Sequence, residues 1–132
     1  MTNWRTFDFV SNSQLAVVGT SLDLEIWNIH TGKKERTIEI SPVEHRMQML
    51  GVSKNGRFVS FNAAQSHLGV YDLKLNQTLF CAPILPHGTG VSAIPWNDEG
   101  SLLGLACNDR NIRVLNLPLI RQQLAKLNLD WN

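Results

Sequence analysis

The chain has 132 residues, 43% of them hydrophobic and 17% charged, which is enough apolar material for a buried core and excludes a disordered tail. Twelve Lys and Arg stand against eleven Asp and Glu, a formal net charge of +1, so no strong field gathers nucleic acid or anionic lipid. No apolar run approaches the roughly 18 residues of a membrane span, and the start MTNWRTFDFV lacks the pattern of a secretory signal.

In chain order, alternation of apolar and polar positions predicts strands near residues 4–10, 14–20, 23–29 and 34–40. The same reading continues near 46–53, 57–63, 67–73 and 77–82, then near 90–96, 101–107 and 111–117. Turn signals SNS, KNGR and DEGS separate the first and second strands of each set, and Gly56 and Gly100 supply residues that tolerate positive φ in tight hairpins. The tail then changes period. Asn116 and Pro118 suit a helix start, and Leu117, Ile120, Leu124, Leu127 and Trp131 recur at steps of three and four, which predicts a short amphipathic helix over 118–129. Its apolar stripe docks first on the chain's own sheet, with a partner seam as the alternative; Ile120, Leu124, Leu127 and Trp131 are the candidate interface.

The strand sets repeat. LEIWNI (24–29), LGVYDL (68–73) and IRVLNL (112–117) fall in register with two successive offsets of 44, and so do QLAVVGT, FVSFNAA and LLGLACN. Four short strands per repeat, with a Trp-Asp-like pair closing the third, is the signature of a propeller blade. The expected fold is all-β: antiparallel four-stranded blades near 4–40, 46–84 and 90–117, the last without its outer strand, followed by the helix and tail at 118–132. Three blades do not close a ring, since closed propellers have about four to eight. The expectation is therefore an open, partial β-propeller whose inter-blade core includes Val17, Phe61 and Leu105 with the third-strand aliphatics.

VSAIPWNDEGSLLGLACNDRNIRVLNL (91–117) and IWNIHTGK (26–33) resemble the WD-repeat β-propeller family. That family links a loop His, a strand hydroxyl, a turn Asp and a strand Trp in one hydrogen-bonded set. The resemblance places Trp27 and Asn28 at the Trp-Asp pair of the first blade, with Thr20 as hydroxyl. It places Tyr71 and Asp72 there in the second, with Gln65 for the turn Asp, and Leu115 and Asn116 in the third. His87 and Asp109 match the loop His and turn Asp of the third blade, while Cys107 stands where the hydroxyl belongs, and His45 is a counterpart of His87 before the second blade. The segment IRQQLAKLNLDW resembles the stretch after the last blade of large bacterial WD-repeat proteins, many with a serine/threonine kinase domain upstream. None of the kinase motifs occurs here, because HGTG (87–90) lacks the third glycine and the strand-to-helix context of a phosphate loop.

Residues with their own chemistry are sparse. His30, His45, His67 and His87 show no HxH or HxxxH spacing, so no metal site and no cofactor are expected. No GxSxG elbow is present, and Asp109 between Asn108 and Arg110 reads as a turn cap rather than a catalytic carboxylate. Cys81 and Cys107 read as reduced core thiols. KKER (33–36) reads as a solvated turn and outer strand, and Trp96 as an inward position of its strand. The functional expectation is a cytoplasmic, non-catalytic scaffold that binds a protein or peptide partner, not nucleic acid or membrane, and forms the C-terminal part of a larger propeller. Two alternatives stand beside it: a regulatory or docking segment of a bacterial kinase system, and a self-assembling blade unit that forms a homo-oligomer.

Overall fold

The computed structural model describes residues 6–18, 23–39, 47–63, 67–83 and 90–128. Strands β1 (Thr6–Phe9), β2 (Gln14–Val18), β3 (Leu24–Asn28) and β4 (Lys33–Ile38) form one antiparallel meander. Strands β5 (Met47–Val52), β6 (Phe58–Ala63), β7 (His67–Asp72) and β8 (Gln77–Ala82) form a second of the same order. Strands β9 (Val91–Ala93), β10 (Leu102–Cys107) and β11 (Ile112–Asn116) form a third sheet of three strands, and α1 (Leu117–Ala125) continues from β11 without a loop. These are three propeller-type blades in an open row, with β1 lying against β5 and β5 against β9.

Side-chain alternation gives each blade two faces. On the back face, which looks toward the preceding blade, Leu15 pairs with Trp27 in blade 1, Val59 with Tyr71 in blade 2, and Leu103 with Leu115 in blade 3. On the forward face Ala16 pairs with Ile26, Ser60 with Val70, and Gly104 with Val114. Blade 1 turns Ala16, Val18, Leu24 and Ile26 onto Leu50, Val59, Phe61 and Tyr71 of blade 2, forming one buried cluster. Blade 2 turns Leu68 and Val70 onto Leu103 and Leu105 of blade 3, forming the other. Even an irregularity repeats: the third-to-fourth strand register slips between Ile26 and Trp27, and again between Val70 and Tyr71.

Several expectations are corrected. Phe61 and Leu105 sit between blades, whereas Val17, at the same repeat position, is buried along a groove of blade 1 and belongs to neither inter-blade cluster among the described residues. The third-strand aliphatics of blade 3 are not core: Ile112 is 81% exposed and Val114 61% exposed, with no sheet against that forward face among the described residues. The first strand of blade 3 stops at Ala93, since Pro95 cannot donate to the ladder, and Trp96 returns only as an isolated bridge to Leu103. Cys107 is buried whereas Cys81, on the outer strand β8, is exposed, and both are free thiols. The helix ends at Ala125 rather than 129, which leaves Leu127 exposed in a turn, and Trp131 lies outside the described residues.

Phe61 is the largest of the fully buried side chains. Its cross-strand neighbour is Gly69, and a Cβ there would fall about 2.1 Å from the ring, so the aromatic fits only because the opposite residue has no side chain. Valine and leucine hold the equivalent positions 17 and 105, facing Glu25 and Arg113. Replacing Phe61 with Ala removes a ring from the middle of the blade 1–blade 2 cluster and is expected to cost about 3–5 kcal/mol. Urea denaturation monitored by tryptophan fluorescence measures it, and a loss below about 1 kcal/mol would contradict this packing.

Candidate functional site

The three residues at the third-strand ends, Asn28, Asp72 and Asn116, share one device. Asn28 Oδ1 accepts the backbone N–H groups of His30 (2.9 Å) and Thr31 (3.0 Å), and Asp72 Oδ1 accepts those of Lys74 (2.9 Å) and Leu75 (3.0 Å). Asn116 Oδ1 accepts only Leu119 N–H (3.1 Å), because Pro118 has none to give, and it thereby caps α1. The turns after Asn28 and Asp72 close with a left-handed residue, Gly32 (φ 67°) and Asn76 (φ 57°). The same position in the third repeat is Ile120, a β-branched residue that resists positive φ. The chain therefore cannot reverse into a fourth strand there and continues as a helix.

Only part of the polar set implied by the resemblance falls among the described residues. His87, His45, Thr20 and Gln65 lie outside them. The Trp27 indole N–H donates to Glu25 Oε2 at 2.9 Å, two residues away on the same strand, and Lys34 lies 3.8 Å from that carboxylate. Tyr71 is buried between blades 1 and 2, and its hydroxyl and Arg36 of blade 1 both bond Asn76 Oδ1. Leu115 packs among apolar neighbours, and Cys107 Sγ reaches Leu105 O, at 3.8 Å, and the Arg113 side chain. An indole does meet a strand hydroxyl, but across blades: Trp96 Nε1–H donates to Ser60 Oγ at 3.0 Å while stacking on Phe58 with centroids 5.6 Å apart. Ser60 in turn donates to Gly51 O (3.1 Å), and nearby Asn62 Oδ1 is buried without a partner among the described residues.

Two acidic residues anchor turns. Asp72 is fully buried and Arg57 grips its Oδ2 through Nε (3.0 Å) and Nη2 (2.8 Å). Burial pushes the Asp72 carboxyl up, but Arg57 and the Leu75 and Lys74 N–H groups outweigh it and hold the carboxyl below its ordinary range. Asp109 accepts Asn111 N–H at 3.1 Å and pairs with Arg113 at 2.7 Å, which holds its carboxyl down to about 2. The left-handed residue of that turn is Arg110 (φ 68°), while Gly56 (φ 72°) and Gly100 (φ 70°) serve the preceding hairpins. Both carboxylates hold turn N–H groups and a guanidinium. Among the described residues no group of three or more His, Cys, Asp or Glu converges.

The surfaces with binding character are apolar. On the back face of blade 1, Phe7, Leu15, Val17, Trp27 and Ile29 line a groove of about 350 Å³, with Phe7 63% and the adjacent Phe9 60% exposed. On the forward face of blade 3, Leu102, Ile112 and Val114 stand open beside Gly104 and Ala106. Between the blades' outer edges, Ile120 and Leu124 of α1 join Phe80, Leu105 and Leu115 around a cleft of about 460 Å³, so part of the helix stripe docks on the chain's own sheets. The strand periodicity contains all three surfaces, yet it assigns Val17 and the third-strand aliphatics Ile112 and Val114 to the core between blades, because contact depends on a neighbour that alternation does not name. No described helix is long and apolar enough to cross a membrane.

Asp72→Ala leaves the Arg57 charge and two turn N–H groups without their acceptor and is expected to cost about 3 kcal/mol, readable as a fall in urea midpoint at constant slope. The Asp109 pair is tested by pH. Its folded carboxyl titrates at about 2, below the unfolded value of about 3.9, so the pair's stabilisation is complete above about pH 4 and is lost as pH falls through about 2. The Tm difference between wild type and Asp109→Asn is expected to shrink steadily from about pH 5 to about pH 2; a constant difference would show that the ion pair contributes nothing.

No family model matches the chain, and no curated protein matches it significantly. Similarity to solved structures is extensive at the level of shape. U3-55K, a WD40 β-propeller protein, superposes with a TM-score of 0.74 at 14% sequence identity, over 90% of this chain and 37% of that one. The chain thus spans little more than a third of the length of that propeller protein, and what the two share is a WD40-like propeller fold.

Proposed function

We propose that the chain is a non-catalytic protein-interaction scaffold built from WD-repeat-type blades, acting in the cytoplasm as part of a larger or assembled propeller. One observation carries the reading: both ends of the blade row present open apolar faces, Phe7, Phe9 and the Trp27 groove at one end and Ile112 and Val114 at the other. Contiguous exposed apolar surface of this kind marks a contact with another protein surface. The fold supports the reading without naming a partner, since function in such folds lives in the surfaces they carry. The capping at Asn28, Asp72 and Asn116 favours WD-repeat-type blades, because the same position does the same work in every repeat.

Affinity capture with the purified chain tests this. Wild type is expected to retain specific proteins, and Phe7→Asp or Val114→Asp baits are expected to retain them at least about tenfold less, since one buried hot-spot contact is worth that much. Identical recovery on wild type, both variants and empty resin would overturn the scaffold reading.

A further inference from the structure

We propose that the occupant of both open faces is a second copy of this chain, joined head to tail so that two copies close one six-bladed ring. The proposal rests on the reading of these faces as protein contacts and names the partner. Its basis is that the chain already makes the required contact twice. Back-face positions 59, 61 and 71 of blade 2 pack on the forward face of blade 1, and back-face positions 103 and 105 of blade 3 pack on the forward face of blade 2. The back face of blade 1, where Phe7 and Phe9 stand open while Val17 is already buried, carries Leu15, Val17 and Trp27 at those same repeat positions. The uncovered forward face of blade 3 carries Ile112 and Val114, whose counterparts Leu24, Ile26, Leu68 and Val70 are at most 2% exposed inside the row. The two open faces are therefore the two unmatched halves of one repeated interface.

Shape and charge agree with this pairing. Ile112 and Val114 project from a face kept low by Gly104 and Ala106, while the back face of blade 1 is hollowed into a groove of about 350 Å³. Of the charged groups on that face, Glu25 is already bonded to the Trp27 indole and lies 3.8 Å from Lys34, so burial would strand no bare carboxylate. Pairing like with like, groove to groove, would leave both forward faces open. Head-to-tail pairing covers both faces of both copies by a single kind of contact, and a two-fold rotation closes it. Six blades fall within the about four to eight that closed propellers use.

The test is the solution mass of the purified full chain, by native mass spectrometry and sedimentation on the order of 10 µM. One species at twice the 14.8 kDa chain mass is expected. Val114→Asp and Phe7→Asp are each expected to be monomeric with unchanged circular dichroism, and an equimolar mixture of the two is expected to recover a pair, because one intact junction remains. If either Asp variant loses its dichroism, Val114→Thr or Phe7→Ser replaces it, with dimer dissociation shifted at least about tenfold. A monomeric wild type, a dimeric Val114→Asp, or an open ladder of higher oligomers would each overturn the ring. A monomer that still captures a foreign protein through these faces sinks the ring and leaves the scaffold reading; a dimer that captures none does the reverse.

Discussion

Face-to-face stacking of one blade on the next is the contact on which the rest of this structure depends. A sheet must bury an apolar face against another element, and each blade here is apolar on both sides. Its stability therefore comes from its neighbours, as in other repeat architectures where interface terms add along the row. Blade 2, covered on both faces, contributes residues to both buried clusters. Blades 1 and 3 each bury one face against blade 2, and on their other faces Phe7, Phe9, Ile112 and Val114 stand open.

The two stacking interfaces reach burial by different means. Between blades 1 and 2 the contact is mainly aliphatic and aromatic, with Phe61 seated over Gly69 and the polar links of Arg36, Tyr71 and Asn76 set at the outer edge. Between blades 2 and 3, Ser60 and Asn62 lie on the contact face, and the Trp96 indole crosses to Ser60. Buried polar groups are costly unless bonded, so this second interface is more demanding of register than the first. Asp8 of blade 1 adds a further tie by accepting the Val52 N–H of blade 2 at 2.9 Å.

Local chemistry explains why the third repeat departs from the first two. In all three, an Asn or Asp at the end of the third strand collects the next free N–H groups. The repeats then part at a single position four residues further on: Gly32 and Asn76 accept a left-handed backbone, and Ile120 does not. Two outcomes grow from that difference. With the left-handed residue the chain folds back as an outer strand; without it, the capped turn runs on as α1 and packs Ile120 and Leu124 over the cleft beside Phe80.

The strands, the repeat of 44 and the helix start were legible from spacing, because alternation, turn residues and capping act within a few positions. Gly56 and Gly100 at positive φ and Asn116 at the helix cap are such cases. The partners of Trp27 and Trp96 were not legible in the same way: the Trp27 indole donates to Glu25 on the same strand face, and Trp96 finds Ser60 36 positions away. Exposure was least legible of all. Ile112 and Val114 have the same chemistry as buried residues 44 or 88 positions before them, and no property of their own separates them. By itself, then, the sequence determined which residues form each blade and which face each side chain takes, since those depend on local backbone geometry. Only the tertiary structure decided which faces meet a neighbour and which stay open, because burial belongs to a pair of surfaces and not to either one alone.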